Sequence, residues 1–325
     1  MKKNLVKIFL SFVMIVIAVY IVAQSNEIAL LKRVSSLDFF IILLLSLLCL
    51  SVFGYIFSFI TKKQHNTPLS LFDTLTLPFM MHLWGLIIPV KGGMLYLIFF
   101  LKSKYNIQMV KSASIAIYRY LISFVLIGIF GIYLMISRNQ LFSIGTSVFI
   151  IIILSPIILK LLQKYALDIP VGNSKTLLKL KSIISSIIIQ SNINFSNIET
   201  TSTVTFIILI QIILRTIRYY FIASVLDFNI PFMTLFALTW TIELANIFRF
   251  LPGNIGLNEL FSGGVFSLLG ADPAQGILIA LLVRVSVLLL TFTIGLWAVL
   301  INMKYFQINT FKSLWSMLKT SEPNC

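Results

Sequence analysis

Long apolar stretches separated by short polar segments dominate the chain from its first residues. An α-helix rises about 1.5 Å per residue, so roughly 20 apolar residues cross the 30 Å hydrocarbon layer of a bilayer. Six stretches of about this length predict six complete spans: residues 5–23, 37–60, 114–136, 141–162, 204–226 and 276–303. The pattern therefore predicts an all-α polytopic membrane protein.

The composition excludes a soluble domain. Soluble domains are typically about 45–50% apolar and about 25% charged, whereas this chain of 325 residues is 59% hydrophobic and 11% charged. The net charge of +15 could suggest a nucleic-acid surface. The aromatic residues are instead typical of packing and of anchoring at the membrane interface, so we expect no nucleic-acid partner.

The first apolar stretch resembles a secretory signal because it follows Met1, Lys2 and Lys3. A signal has an apolar region of about 7–15 residues, followed by a cleavage site with small residues. This stretch runs to Ala23 without a convincing site of that kind. We therefore predict that it is a retained first span.

The distribution of positive charge predicts the topology, since short cytoplasmic loops collect Lys and Arg. Lys62, Lys63, Lys102 and Lys104 belong to the segments assigned to the cytoplasm, together with the lysines near both termini. The charged residues assigned to the outside are fewer: Glu27, Lys32, Arg33, Asp38, Arg138 and Asp272. We expect a multi-pass plasma-membrane protein with both termini in the cytoplasm.

Two apolar segments must then enter the membrane and return to the side from which they came. The first, residues 69–101, contains Pro89, Lys91, Gly92 and Gly93 at its middle, and the second, residues 231–270, has its tip at residues 251–259. Proline and glycine break helices. Because irregular backbone cannot face lipid, both predicted re-entrant hairpins should place their tips in a polar or protein-enclosed cavity.

The two hairpins predict an inverted repeat with its substrate site near the middle of the bilayer. Each tip is followed by an arginine in an apolar helix, Arg119 in the first half and Arg284 in the second. The predicted division is an N-terminal half (1–165), a cytoplasmic amphipathic linker (166–203), a C-terminal half (204–303) and a cytoplasmic tail (304–325). A polar linker with some helix is the alternative for the second segment.

Charged residues within the apolar segments are costly and therefore indicate partners or function. The cations are Lys91, Arg119, Arg215, Arg218, Arg249 and Arg284, and the acids are Asp227, Glu243 and Glu259. This excess of positive charge favours an anionic guest, and a phospholipid phosphate is the obvious one in a bilayer.

Structural explanations compete with lipid binding at several of these positions. Arg218 could reach the membrane interface or pair with Asp227, and Glu243 could pair with Arg249 to close the second hairpin. Glu259 could organise backbone N–H groups of its tip.

Catalytic and cofactor chemistry has no support in the sequence. It contains no Ser/His/Asp grouping, HExxH motif, phosphate-binding loop or Cys/His spacing suited to a metal. His82 and His65 are expected to be packed or solvated, and Cys49 and Cys325 have no spacing or depth suited to a disulfide. We therefore expect neither an enzyme nor a cofactor or metal site.

Both tips resemble the transmembrane flippase domain of lysylphosphatidylglycerol synthases (multiple peptide resistance factors), and the resemblance covers nearly the whole chain. That family's second tip reads roughly Pro-Gly-Gly-x-Gly-x-x-Glu, which residues 252–259 match with Asn at the third place. Its first tip reads roughly Pro-x-Arg-x-Gly-Glu, which here carries Lys91 for the arginine and Met94 for the glutamate.

The resemblance implies two facing re-entrant hairpins around a lipid-headgroup cavity, and movement of lipids between leaflets. In this family the aminoacyl-transferase domain would follow the membrane domain, and the present sequence ends at Cys325. We therefore expect a stand-alone member that does not synthesise the lipid alone.

The sequence thus predicts a protein that binds and translocates an anionic or amino-acylated phospholipid or a polyprenyl-linked lipid. The alternative is a non-transporting membrane subunit that scaffolds a separate glycosyl- or aminoacyl-transferase. The predicted lipid-binding residues are Lys91, Gly92, Gly93, Arg119, Arg215, Arg218, Pro252, Gly253, Gly256, Glu259 and Arg284.

Overall fold

The computed structural model describes residues 26–88, 91–137, 197–247, 252–268, 270–302 and 305. The elements in these ranges are helical. The predicted spans at residues 5–23 and 141–162, nearly all of the predicted linker and nearly all of the tail lie outside the described residues.

Within the described ranges, four helices are long and apolar enough to cross a membrane. They are α1 (Ser36–His65), α4 (Met109–Ser137), α5 (Ile198–Val225) and α8 (Pro273–Asn302, with a π-helical turn at Thr291–Gly295). Each contains most of one predicted apolar stretch, so these four predicted helices are confirmed. Helix α5 begins ahead of residue 204 because Asn197 caps its N-terminus by accepting from the Thr200 N–H.

Four shorter helices form two hairpins. Helices α2 (Leu71–Ile87) and α3 (Gly92–Tyr105) make the first, and α6 (Phe232–Ile247) and α7 (Leu257–Leu268) make the second. A helix of 17 residues is only about 25 Å long, which is shorter than the hydrocarbon layer. Helix length is thus consistent with segments that do not cross a bilayer alone.

Ion pairs define the two ends of the helix bundle. At one end, Lys63 Nζ lies 2.9 Å from Glu199 Oε1, and Lys104 Nζ lies 2.8 Å from Asp73 Oδ1. The second pair joins the first turn of α2 to the last turn of α3, so both ends of the first hairpin meet there. At the opposite end Arg33 pairs with Asp227, between α5 and α6. The two hairpins therefore enter the bundle from opposite ends.

Glycines allow the helices to approach closely. A Cβ atom on Gly54 would lie 2.0 Å from the Thr74 carbonyl oxygen, which brings α1 against α2. A Cβ atom on Gly93 would lie 2.4 Å from the Met81 carbonyl oxygen, within the first hairpin. Small residues at such contacts are the usual means of packing helices in membranes, where lipid is as apolar as the helix surface.

The tips of the two hairpins meet near the middle of the bundle. A Cβ atom on Gly253 of the second tip would lie 2.5 Å from Leu86 Cδ2, near the end of α2. Gly253 also has φ = 59°, a left-handed conformation that favours glycine. The described residues of the first break, Lys91–Gly93, thus lie near the second break at Pro252–Gly256.

Candidate functional site

The first tip presents a cation beside a broken helix. Lys91 adopts a left-handed conformation (φ = 64°) immediately before α3. Its Nζ atom lies 4.4 Å from the ring centroid of Tyr120 on α4, a cation–π contact. Gly92 and Gly93 follow and are buried. The start of α3 therefore combines a positively charged side chain with the backbone N–H groups of a helix N-terminus.

A first cavity of about 50 Å³ lies at this tip. It is lined by predicted residues of both halves, namely Lys91, Gly92, Gly93, Arg119, Arg215 and Gly253. Glu243, Asn246, His82 and Tyr120 also line it. Lys91 of the first tip, Arg119 and Gly253 of the second tip thus line one cavity, whereas Arg284 does not line it.

Two arginines share one carboxylate in the wall of this cavity. Arg119 Nη2 lies 2.9 Å from Glu243 Oε1, and Arg215 donates from Nη1 to Glu243 Oε2. The Arg119 and Glu243 side chains are almost fully buried and Arg215 is largely buried. Because two cations face one anion, this triad carries one surplus positive charge. It also ties α4 and α5 to α6 of the second hairpin.

The sequence suggested Arg249 as the partner of Glu243, whereas the structure pairs Glu243 with Arg119 and Arg215. Arg249 itself lies outside the described residues. Both observed partners are more than 25 positions away in the chain, so their contact with Glu243 depends on the fold and has no local signal.

Arg284 holds the second tip in place through hydrogen bonds. It donates from Nε to Glu259 Oε1 at 2.8 Å, from Nη1 to the Gly253 carbonyl at 2.6 Å and from Nη2 to the Asn254 carbonyl at 2.9 Å. These bonds satisfy carbonyl groups that the short 3-10 turn Pro252–Asn254 leaves without helical partners. Glu259 thus pairs with the side chain of Arg284, which differs from the structural alternative that it organises backbone N–H groups of its tip.

A second cavity of about 120 Å³ lies on the other side of Arg215. It is lined by three arginines, Arg215, Arg218 and Arg284, and by Gly253, Asn258 and Thr291. Residues that line both cavities are Leu50, His82, Arg215, Asn246 and Gly253. Arg215 and the second tip therefore form a common wall between the two cavities.

Arg218 has a different partner from the one considered in the sequence. Asp227 pairs with Arg33, so the considered Arg218–Asp227 pair is wrong. Arg218 is 5% exposed and donates from Nη1 to Ser46 Oγ at 3.1 Å. Ser46 in turn lies 2.9 Å from Ser286 Oγ, which links α1, α5 and α8.

The remaining predicted residues are near the site without lining these cavities. Gly256 is buried with φ = 82° at the turn before α7, and Glu259 is buried beside Arg284. Pro252 begins the 3-10 turn. Sequence reasoning missed Asn246, Asn258 and Thr291, and it expected His82 to be merely packed or solvated. In the sequence, these four residues stand out only as polar side chains within apolar segments.

Metal binding has no support in the described ranges, which contain no group of His, Cys, Asp or Glu side chains able to hold an ion. The chemistry available is instead electrostatic. Both cavities offer guanidinium groups, and such forks match phosphate and carboxylate oxygens.

Comparison of the sequence with known families identifies the family. No curated protein and no solved structure matches the chain. Residues 4–295 match the family described as the lysylphosphatidylglycerol synthase TM region. This match covers most of the chain and agrees with the motifs at the two tips. The protein therefore belongs to the family of the lysylphosphatidylglycerol synthase transmembrane region.

Proposed function

We propose that this membrane protein binds the headgroup of an anionic or amino-acylated phospholipid, or of a polyprenyl-linked lipid, and moves the lipid between the leaflets of the plasma membrane. The observation that carries the proposal is the pair of cavities at the meeting point of the two hairpins. The first cavity has three cations, Lys91, Arg119 and Arg215, against Glu243. The second has three arginines.

The hairpins supply the route in this proposal. Each is re-entrant, the first from the cytoplasm and the second from outside, so the two cavities lie at the depth where the tips meet. A headgroup that passes from one cavity to the other must pass Arg215, because Arg215 lines both. The chain itself forms and breaks no covalent bond.

Reconstitution of the full chain in liposomes tests the proposal. Fluorescent phosphatidylglycerol and phosphatidylcholine in the outer leaflet are quenched chemically, and the extent of quenching shows whether lipid from the inner leaflet becomes accessible. We expect phosphatidylglycerol to exchange faster with protein than in empty liposomes, and faster than phosphatidylcholine. Liposomes with protein that exchange neither lipid would contradict transport and would favour the alternative, a scaffold for a separate transferase.

Cysteine labelling tests the proposed topology. Ser103→Cys lies between Lys102 and Lys104, and Asp272→Cys lies at the N-terminus of α8. With Cys49 and Cys325 replaced by serine, a membrane-impermeant reagent added to intact cells should label position 272 only. Labelling of position 103 from outside would contradict the first re-entrant hairpin.

A further inference from the structure

Arg218 differs from the other buried cations of the bundle. Arg119 and Arg215 share Glu243, Arg284 pairs with Glu259, and Lys104 pairs with Asp73. Arg218 is 5% exposed, and no described carboxylate lies within 4.0 Å of its guanidinium. Its Nη1 atom donates to a neutral hydroxyl, and its buried Nε atom has no hydrogen-bond partner.

A buried charge without a counter-charge is strongly unfavourable and is retained where it has a task. The Ser46 hydroxyl holds Arg218 in place but supplies no negative charge. The neighbouring Arg119–Glu243–Arg215 triad adds positive charge through Arg215, which lines the same cavity. The position is therefore electrostatically incomplete in the absence of an anion.

Two further polar atoms without partners line the same cavity. Thr291 is fully buried, and its Oγ1 atom has no hydrogen-bond partner. The Asn258 Oδ1 atom is also buried without a partner, but it is an acceptor and therefore requires a hydrogen-bond donor. Arg218, Asn258 and Thr291 come from α5, α7 and α8 and all line the 120 Å³ cavity. Buried polar groups in folded proteins are nearly always satisfied, so such a cluster indicates a missing partner.

The local backbone supports a functional cavity at this place. Thr291 is the first residue of the π-helical turn Thr291–Gly295 within α8. Such turns are rare and frequently occur at functional sites. Arg284, which also lines this cavity, is already engaged with Glu259 and with the tip carbonyls. Arg218 is therefore an arginine of this cavity without a described carboxylate partner, and its guanidinium carbon lies 5.4 Å from the ring centroid of Tyr219.

We infer that the cavity between Arg218, Asn258 and Thr291 is a binding site for the phosphate group of a lipid headgroup. The Arg218 Nε–H and the Thr291 hydroxyl can both donate to phosphate oxygens. The uncompensated charge of Arg218 and the surplus positive charge of the Arg119–Glu243–Arg215 triad both favour an anion here. The assignment of the phosphate to a lipid rests on the proposed function, whereas the phosphate chemistry does not.

Thermal unfolding of the delipidated full chain in detergent tests the inference, with tryptophan fluorescence as the signal. The probes are dihexanoyl phosphatidylglycerol, dihexanoylglycerol, which lacks phosphate, and inorganic phosphate. A ligand that binds only the folded state raises the Tm. We expect phosphatidylglycerol to raise the Tm by several degrees, dihexanoylglycerol to leave it unchanged, and inorganic phosphate to act only at much higher concentrations. A shift with inorganic phosphate at equal or lower concentrations would assign the site to free phosphate and overturn the lipid assignment.

Arg218→Gln separates a binding role from a structural one. We expect this variant to lose most of the phosphatidylglycerol shift and to unfold, without ligand, at a Tm equal to or above that of the wild type, because an unpaired buried charge has been removed. A lower Tm without ligand, together with an unchanged phosphatidylglycerol shift, would make Arg218 structural and overturn the inference. Lys63→Gln is the matched control, since Lys63 lies in an exposed ion pair and does not line the cavity, and it should keep the full shift.

Thr291→Val keeps the inference testable if Arg218→Gln does not fold. Valine has nearly the shape of threonine and removes only the hydroxyl that has no partner. We expect it to bind phosphatidylglycerol about tenfold more weakly, the usual value of one hydrogen bond to a charged group, at an unchanged or higher Tm without ligand. Undiminished binding in this variant would exclude Thr291 from the phosphate site and contradict the inference.

The liposome assay separates this inference from the proposed function. If the wild type binds phosphatidylglycerol through Arg218 but moves no lipid, transport is contradicted and the phosphate site stands. If the wild type moves lipid and Arg218→Gln binds and moves it equally well, the phosphate site is contradicted and transport stands.

Discussion

The two hairpin tips meet at the same place but are held in different ways. In the second tip, Arg284 binds both the Glu259 carboxylate and the carbonyl groups of the break. In the first tip, Lys91 lies over the Tyr120 ring, and Met94 occupies the place where the family usually has a glutamate. Hydrogen bonds to charged groups are worth more than a typical cation–π contact. The second tip is thus held by charge-assisted hydrogen bonds from Arg284, whereas the first tip presents a cation that lies against an aromatic ring.

The largest effect is expected when the carboxylate shared by the two arginines is removed. Glu243→Gln leaves Arg119 and Arg215 buried without a counter-charge, and the loss of one partner from a buried ion pair typically costs about 3–5 kcal/mol. The measurement is chemical unfolding of the full chain in detergent. Glu199→Gln, in the exposed pair with Lys63, is the matched control and should cost less than about 1 kcal/mol. Equal destabilisation by Glu243→Gln and Glu199→Gln would show that the buried triad contributes no more to stability than an exposed ion pair.

Loss of the Arg284 hydrogen bonds at the second tip should have the next largest effect on stability. Arg284→Gln removes the hydrogen bonds to Gly253 and Asn254 and leaves Glu259 without its partner. We expect destabilisation by about 2–4 kcal/mol, since hydrogen bonds to charged groups contribute about 1.5–3 kcal/mol each. The double variant Arg284→Gln with Glu259→Gln should recover part of this loss because no carboxylate is left unpaired. A double variant less stable than the single one would contradict a direct pair.

Substitution of Gly256 at the second tip is expected to have a smaller effect on stability. Gly256 has φ = 82°, and a residue with a Cβ atom is strained there by about 1–2 kcal/mol. Gly256→Ala should lower stability by this amount, and Gly256→Leu should also impair lipid movement while the chain still inserts into the membrane. Gly264→Ala is the control, because an added Cβ atom there meets nothing within 4 Å. Wild-type rates of lipid movement in Gly256→Leu would show that the tip geometry is not needed for transport.

The sequence predicted the features that depend on local composition. The lengths of the apolar stretches determine where α1, α4, α5 and α8 lie, and proline and glycine determine where the hairpins break. The partners of the charges depend on helix packing and could not be predicted. Asp227 lies near Arg218 in the chain, but α5 ends at Val225 and Asp227 turns towards Arg33.

The smallest stability change, and the clearest functional one, is expected at the first tip. Lys91→Ala removes a cation–π contact worth about 0.5–2 kcal/mol, so the free energy of unfolding should change by less than in Arg284→Gln. Lys91 lines the first cavity together with the start of α3. Its loss should therefore slow the movement of phosphatidylglycerol several-fold and that of zwitterionic phosphatidylcholine less. Lys91→Arg should retain most of the anionic preference because the charge is kept. An equal loss for both lipids would mean that Lys91 shapes the first tip without selecting charge, and the difference between the two tips would then be one of stability alone.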